Sequence, residues 1–356
     1  MIEQVEGYPP PAREFHSFDS ALSSGIALFG AGPNGELILD YMKKNGYKVN
    51  CFIDNSPRLQ NTKIEDIPVL SPNDFFNKNN YPILVTARQH NAQILKTLES
   101  YKLKMSFYAW FYLKNKLIYD KLETIFEDNK SIDTLKAIIQ TMLTSENSHC
   151  ANIVEHNTYF CLPGFSRTAN EIYVDLGAYV GDTMERFISL NDGSFKHIYA
   201  FEPGDKQFIA AKHRLKRLSI EWALNENSIT LINAGVSDKT KILSIHHNEH
   251  LAMLSLSQKA FDGCDNNIKV YSLDDYFKDT PVTFIKADIE GAEVDMLHGA
   301  EKVIKRDKPK IAISVYHRPD DFIKIVEILR KFVPDYKFAL RNHLAFLGDT
   351  VLYCWV

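Results

Sequence analysis

The sequence is poor in cysteine. Cys51, Cys150, Cys161, Cys264 and Cys354 are the five in 356 residues, widely scattered and without a C-x-x-C pair. An odd, dispersed set argues against a disulfide framework or a zinc ribbon, so these thiols read as small buried hydrophobes in a reducing compartment. No apolar run approaches the ~18–20 residues that span a bilayer. A secretory leader would start basic and continue apolar, whereas Met1 to Phe15 carries acids and Pro9-Pro10-Pro11, so the expected location is the cytosol. Basic excess is missing too. Forty-one Lys and Arg against 45 Asp and Glu leave a net charge of −4, which does not favour nucleic acid as the main partner. Internal repeats and low-complexity segments are absent. With 45% hydrophobic and 24% charged residues, the chain can bury a core, and its length suits about two domains.

Periodicity shows two stretches where a β-branched strand runs into glycines and then into a helical pattern. In the first, Ile26 to Phe29 is a strand, Gly30-Ala31-Gly32-Pro33-Asn34-Gly35 a turn, and Leu37, Ile38, Tyr41 and Met42 one face of a helix. Val49 to Ile53, ended by Asp54, is the next strand, and Pro82 to Ala87 with helix Ala92 to Ser100 follow. The second stretch opens with strand Ile172 to Leu176, turn Gly177 to Gly181 and helix Asp182 to Leu190. Strand His197 to Phe201, helix Asp205 to Leu218 and strand Ile229 to Asn233 come next, then Val282 to Ala287, helix Glu293 to Ile304, Lys310 to Val315 and helix Asp320 to Phe332. Tyr336 to Arg341 and Asp349 to Val356 are predicted to pair antiparallel. The expected class is α/β, with a Rossmann-like domain over 1–118, a helical connector over 119–157 and a second α/β domain over 158–356.

Gly30, Gly32 and Gly35 match G-x-G-x-x-G, with Asp54 positioned 19 residues on. Such a turn lets backbone approach a diphosphate at a helix N-terminus while the acid takes ribose hydroxyls. The alternative is a tight turn with no ligand. A dehydrogenase is a third reading, although only one mononucleotide-type half is present. This stretch resembles the small N-terminal domains of bacterial sugar acyltransferases that hold nucleotide-sugars.

In the second unit Asp175 precedes the glycines, an order better suited to the ammonium of an amino-acid cofactor than to a pyrophosphate. Glu202 ends the next strand, where an acid can accept two ribose hydroxyls. Asp288 and Glu290 end the fourth strand and His317 the fifth, all at the carboxyl edge where such sheets bind ligands.

Asp175 to Thr183, Phe201-Glu202-Pro203, Asn233 to Asp238, Ser272 to Tyr276, and Ile285 to Glu293 followed by Leu297 to Ala300 occur in the order seen in FkbM-family S-adenosylmethionine-dependent methyltransferases, which residues 155–356 resemble. The resemblance implies a class I, Rossmann-like fold of seven strands with the last antiparallel. It also implies methyl transfer, usually to oxygen and often on a sugar or polyketide hydroxyl, and a small-molecule or glycan acceptor. It assigns the cofactor to Asp175, Gly177, Tyr179, Gly181, Asp182, Thr183, Glu202, Pro203, Asn233, Ala234, Ser237 and Asp288. Ala287 and Ile289 depart from the residues many members show around Asp288, a small apolar change.

A hydroxyl acceptor must lose a proton as it is methylated. His317, with an ordinary pKa of ~6.5, is the first candidate base and Glu290 the second; the alternatives are a hydrogen-bonded strand-end histidine and a helix cap. Asp288 would order the site. Asp288 with Glu290 could also supply oxygen ligands to Mg²⁺. The run His246-His247-Asn248-Glu249-His250 has histidines four apart, but the alternation of Ala252, Leu254 and Leu256 reads as extended. Phe107, Tyr108, Trp110, Phe111 and Tyr112 read as core or interface. Two rival functions stand beside methyl transfer: a binding protein that keeps the fold without turnover, and an NAD(P)-dependent oxidoreductase using Gly30 to Gly35.

Overall fold

The computed structural model describes residues 12–247, 254–257 and 267–356. The chain forms two units, Met1–Val154 with Leu344–Gly348 and Glu155–His343 with Asp349–Val356. The division falls at Val154/Glu155, later than the boundary expected near residue 120. The helices drawn as a connector belong to the first unit, where Asn129–Thr144 packs on Phe107–Lys114. Asp128 starts the longer helix by accepting the Ser131 N–H at 2.7 Å.

In the first unit the strands run, in space, Lys63–Ile64, Ile67–Leu70, Val49–Ile53, Ile26–Phe29, Ile83–Val85 and Lys104–Ser106. All neighbours are parallel except Lys63–Ile64 on Ile67–Leu70. Phe107, Trp110, Phe111 and Tyr112 are buried side chains of this unit's core, as their apolar bulk requires.

In the second unit seven strands run Lys337–Asn342, Thr350–Trp355, Lys310–Ser314, Phe284–Ala287, Ile172–Leu176, His197–Phe201 and Ile229–Ile232. Thr350–Trp355 is antiparallel to both neighbours, and the other pairs are parallel. The core holds Phe160, Phe165, Tyr173, Phe187 and Phe284, with Tyr173 and Phe187 stacked at 4.2 Å.

Between Ile229–Ile232 and Phe284–Ala287 the chain carries a small four-stranded sheet of Gly235–Val236, Asn267–Tyr271, Lys241–His247 and Leu254–Ser257. Residues 248–253, which include most of the histidine run, lie outside the described residues, as does Cys264. The single helix expected over 293–304 is two, Glu293–His298 and Glu301–Asp307. They part at Gly299, whose carbonyl accepts the Asp274 N–H at 2.8 Å and the Ser272 hydroxyl at 3.0 Å instead of continuing the helix. No helix among the described residues is long and apolar enough to cross a membrane.

Candidate active site

The carboxyl ends of the parallel strands surround a cavity of about 880 Å³. After Ile172–Leu176 the chain turns at Gly177, φ +76°, where a Cβ would stand 1.9 Å from the Asp288 carbonyl oxygen. Only glycine lets the two loops approach so closely. Gly177→Ala should cost at least ~1–2 kcal/mol from the left-handed backbone alone. The contact adds to that and displaces the Asp288 turn. Thermal unfolding checks this, and an unchanged midpoint would contradict it.

Glu202, 6% exposed, is fixed by the backbone. Its Oε2 accepts the Tyr179 N–H and its Oε1 the Gly204 N–H, each at 2.8 Å. Burial raises its pKa, and those two N–H groups partly offset the rise. Tyr179, Asp182 and Thr183 line the cavity with it, as do Gly177, Pro203 and Ala234. Gly181 is buried at the N-cap of the helix Asp182–Leu190 and stays off the cavity wall.

Three other residues assigned to the cofactor also stand back from the wall. Asn233 Nδ2 donates to the carbonyls of Glu202 and Pro203 at 3.1 and 3.3 Å, bracing that loop. Ser237 is buried and donates to Asp238 Oδ1 at 3.0 Å. Asp175 has a protein partner of its own. Sheet register sets it beside Lys286, and with exposures of 0% and 1% the two form a 3.0 Å ion pair. Thr183 Oγ1 donates to its other oxygen at 2.5 Å. The carboxylate expected to order an ammonium group already neutralises a buried lysine.

Asp288 and Glu290 also stand on the wall, with Tyr159 and Asp349. Tyr159 donates its hydroxyl to Asp288 Oδ2 at 2.5 Å, from a backbone at φ +70°. Burial opposes ionisation of Asp288, but His317 and Lys286 together hold its carboxyl below the usual range. His317 is only 4% exposed and lies behind the wall. Its Nε2 is 3.3 Å from Asp288 Oδ1 and 3.4 Å from Glu290 Oε2, and its Nδ1 is 2.9 Å from Glu293 Oε1. Burial alone would drive the His317 pKa down, yet Glu293, joined by Asp288 and Glu290, outweighs it and lifts the value to about 9.

The surrounding carboxylates thus favour the charged form of His317, in which neither ring nitrogen has a lone pair to accept a proton. Asp288, Glu293 and His317 lie close enough together to share a metal ion. The ring, however, presents one nitrogen to each carboxylate and itself supplies the positive charge expected from Mg²⁺. Glu293 escaped the sequence reading as a site residue. Its signal was its spacing, since Asp288, Glu290 and Glu293 put three carboxylates into six residues.

In the first unit, the N-terminal turn uses two of its three glycines for packing. A Cβ at Gly35 would stand 2.1 Å from the Gly30 oxygen, and one at Gly30, φ +116°, 2.6 Å from Thr86 Oγ1; one at Gly32 would meet nothing within 4 Å. Asp54 Oδ2 accepts the Ala31 N–H at 2.8 Å and Oδ1 the Ser56 N–H at 2.7 Å, so its carboxylate secures the turn.

The acids at the strand ends, the glycine turn and the inserted antiparallel strand occur here in one chain, and the sequence from the first acid onward has a family match. Residues 175–340 match the methyltransferase FkbM domain. Residues 22–106 match the family described as C2185-like, N-terminal. No curated protein matches the chain. Among solved structures, the FkbM methyltransferase from Methylobacillus flagellatus KT is 21% identical over 99% of this chain and 96% of that one, with a TM-score of 0.58, and shares the fold. An rRNA methylase from Streptococcus thermophilus is 18% identical over 52% of this chain and 86% of its own, with a TM-score of 0.32. A precorrin-6y C5,15-methyltransferase from Geobacter metallireducens GS-15 is 14% identical over 53% and 82%, with a TM-score of 0.33. The unit that carries the FkbM match thus shares the fold of the Methylobacillus flagellatus methyltransferase, with the seventh strand inserted antiparallel.

Proposed function

We propose that the FkbM-type domain transfers a methyl group from S-adenosylmethionine to a hydroxyl oxygen of a sugar or glycan. The observation that carries this reading is Glu202, a buried carboxylate at the end of the second strand of the sheet, anchored by two backbone N–H groups and facing a cavity of about 880 Å³. Each of its oxygens keeps a lone pair for a ribose hydroxyl. When bound, the cofactor supplies a sulfonium methyl. Displacement from a sulfonium leaves a neutral thioether and is mostly a matter of alignment, so the protein's chemical task is the acceptor's proton. Glu290 lines the cavity and is 40% exposed, and its carboxylate takes that proton as the new O–C bond forms. Asp288, kept ionised and oriented by Tyr159, accepts a hydrogen bond from the acceptor.

Calorimetric titration with S-adenosylhomocysteine tests this reading. The wild type should bind at 1:1, and Glu202→Gln should weaken binding by roughly 10- to 100-fold, the range of a lost charged hydrogen bond. Absence of wild-type binding, or equal affinity in the variant, would sink the proposal.

A further inference from the structure

Glu293 touches no part of the cavity, yet it joins the parts that shape the acceptor end. It is fully buried at the start of the helix Glu293–His298. Its Oε1 accepts the Ile289 N–H at 2.9 Å, closing the turn that carries Asp288 and Glu290. The same oxygen stands 2.9 Å from His317 Nδ1. That turn is conformationally costly at Glu290, a non-glycine residue with φ +56°, while Gly291 takes its φ of +94° without strain. Such strain persists only where the surroundings over-determine it. An imidazole held through Nε2 alone could pivot; one pinned at Nδ1 as well, with the Tyr316 ring 4.2 Å away, points Nε2 in a single direction.

We infer that Glu293 is a positioning residue, which locks the Asp288–Ala292 turn and the His317 ring together so that Asp288 and Glu290 meet the acceptor in one arrangement. This rests on the reading of Glu290 as proton acceptor. The device spans two loops: the turn contributes the carboxylates and the end of the strand Lys310–Ser314 contributes the ring. Arg318 Nε adds a second tie, donating to the Gly291 carbonyl at 2.7 Å, and Asp321 Oδ2 accepts the Arg318 N–H at 2.7 Å. The charged and titratable groups around the ring are thus Asp288, Glu290, Glu293, Tyr316, Asp321 and Arg318, with Tyr159, Lys286 and Asp349 just beyond.

The test is the imidazole ¹⁵N–¹H spectrum of histidine-labelled full-length protein, with His317 assigned by the signal missing in His317→Gln. The wild type should show a downfield Nδ1 proton in slow exchange with water. In Glu293→Gln, which keeps shape and an acceptor oxygen but loses the charge, that proton should move upfield or vanish into exchange. S-adenosylhomocysteine affinity should stay within about twofold, while kcat falls roughly 10- to 100-fold, as misplacement of about 1 Å would produce. A folded Glu293→Gln with an unchanged Nδ1 signal, or with unchanged kcat at a temperature where it is fully folded, overturns the inference. Should that variant fail to fold, the wild type decides, because an Nδ1 proton that exchanges freely also overturns it. If S-adenosylhomocysteine does not bind the wild type, the methyltransferase reading falls instead, and the spectrum still reports whether Glu293 holds the ring.

Discussion

Asp175→Ala should destabilise the second unit by about 3–5 kcal/mol, the usual result of removing one partner from a buried ion pair. The cause is the sheet itself. Parallel pairing sets Asp175 level with Lys286, and neither side chain reaches solvent. Without the carboxylate, the ammonium loses its ion-pair partner; Asp288 still acts on it through charge, and its direct contacts are the carbonyls of Leu176 and Gly177, at 3.1 and 2.7 Å, and the face of the Tyr159 ring. Those contacts solvate a charge without neutralising it. Urea unfolding measures the loss. The paired replacement Asp175→Leu with Lys286→Met should recover most of it, since apolar residues of similar volume remove both charges together. If Asp175→Ala kept full stability and lost only cofactor affinity, the carboxylate would belong to the ligand after all.

Folding stability should also fall by roughly 3 kcal/mol between about pH 6.5 and pH 9, an effect centred on His317. The folded pKa of about 9 lies above the ordinary value of 6.5. The stabilisation is therefore complete below the unfolded value and disappears as the pH rises through the folded one. Burial opposes the charge, and the carboxylates of Glu293, Asp288 and Glu290 more than repay it. Asp321 has a related influence in an earlier window, because burial and then Glu293 push its pKa up to about 7. Its contribution is spent as the pH rises from about 4 to 7. Above about pH 8 the buried thiols of Cys51, Cys150, Cys161 and Cys354, whose pKa values burial raises, add a decline of their own. That decline is common to wild type and His317→Gln, so the stability difference between the two, measured across pH 6 to 10, should shrink as the pH rises. A difference that does not change with pH would mean that the ring is neutral in the folded protein.

Most strands were legible because their signals are local. Ile26 to Phe29, Ile172 to Leu176 and His197 to Phe201 are apolar or β-branched runs ended by a glycine or an acid, and their limits agree with the structure. Lys104–Ser106 was not legible, since three residues with only Met105 apolar show no pattern. The break at Gly299 depends on contacts with residues 237, 272 and 274, which a periodicity of apolar positions does not register. The same division runs through the site. That Glu202, Asp288 and Glu290 share one cavity was legible because strand ends of a parallel sheet share one edge. The ion pairs of Asp175 and His317 were not legible because their partners lie elsewhere. Lys286 is 111 residues from Asp175, and Glu293 is 24 from His317. A residue's type advertises its ordinary chemistry, and only the packed structure shows whether a neighbour has already claimed it.

Thr350–Trp355 is the last of the seven strands in chain order, but it fills an interior place between Lys310–Ser314 and Lys337–Asn342. During synthesis the sheet must therefore wait. The ribosome adds the 35 residues between Ser314 and Thr350 before the gap can be filled, an interval of about 2–7 s at ~5–20 residues per second. Throughout it, the apolar strand Lys310–Ser314 presents an open row of N–H and C=O groups to any other extended chain. For this domain the vulnerable moment is the seconds before its seventh strand leaves the exit tunnel, when a chaperone decides between insertion and aggregation.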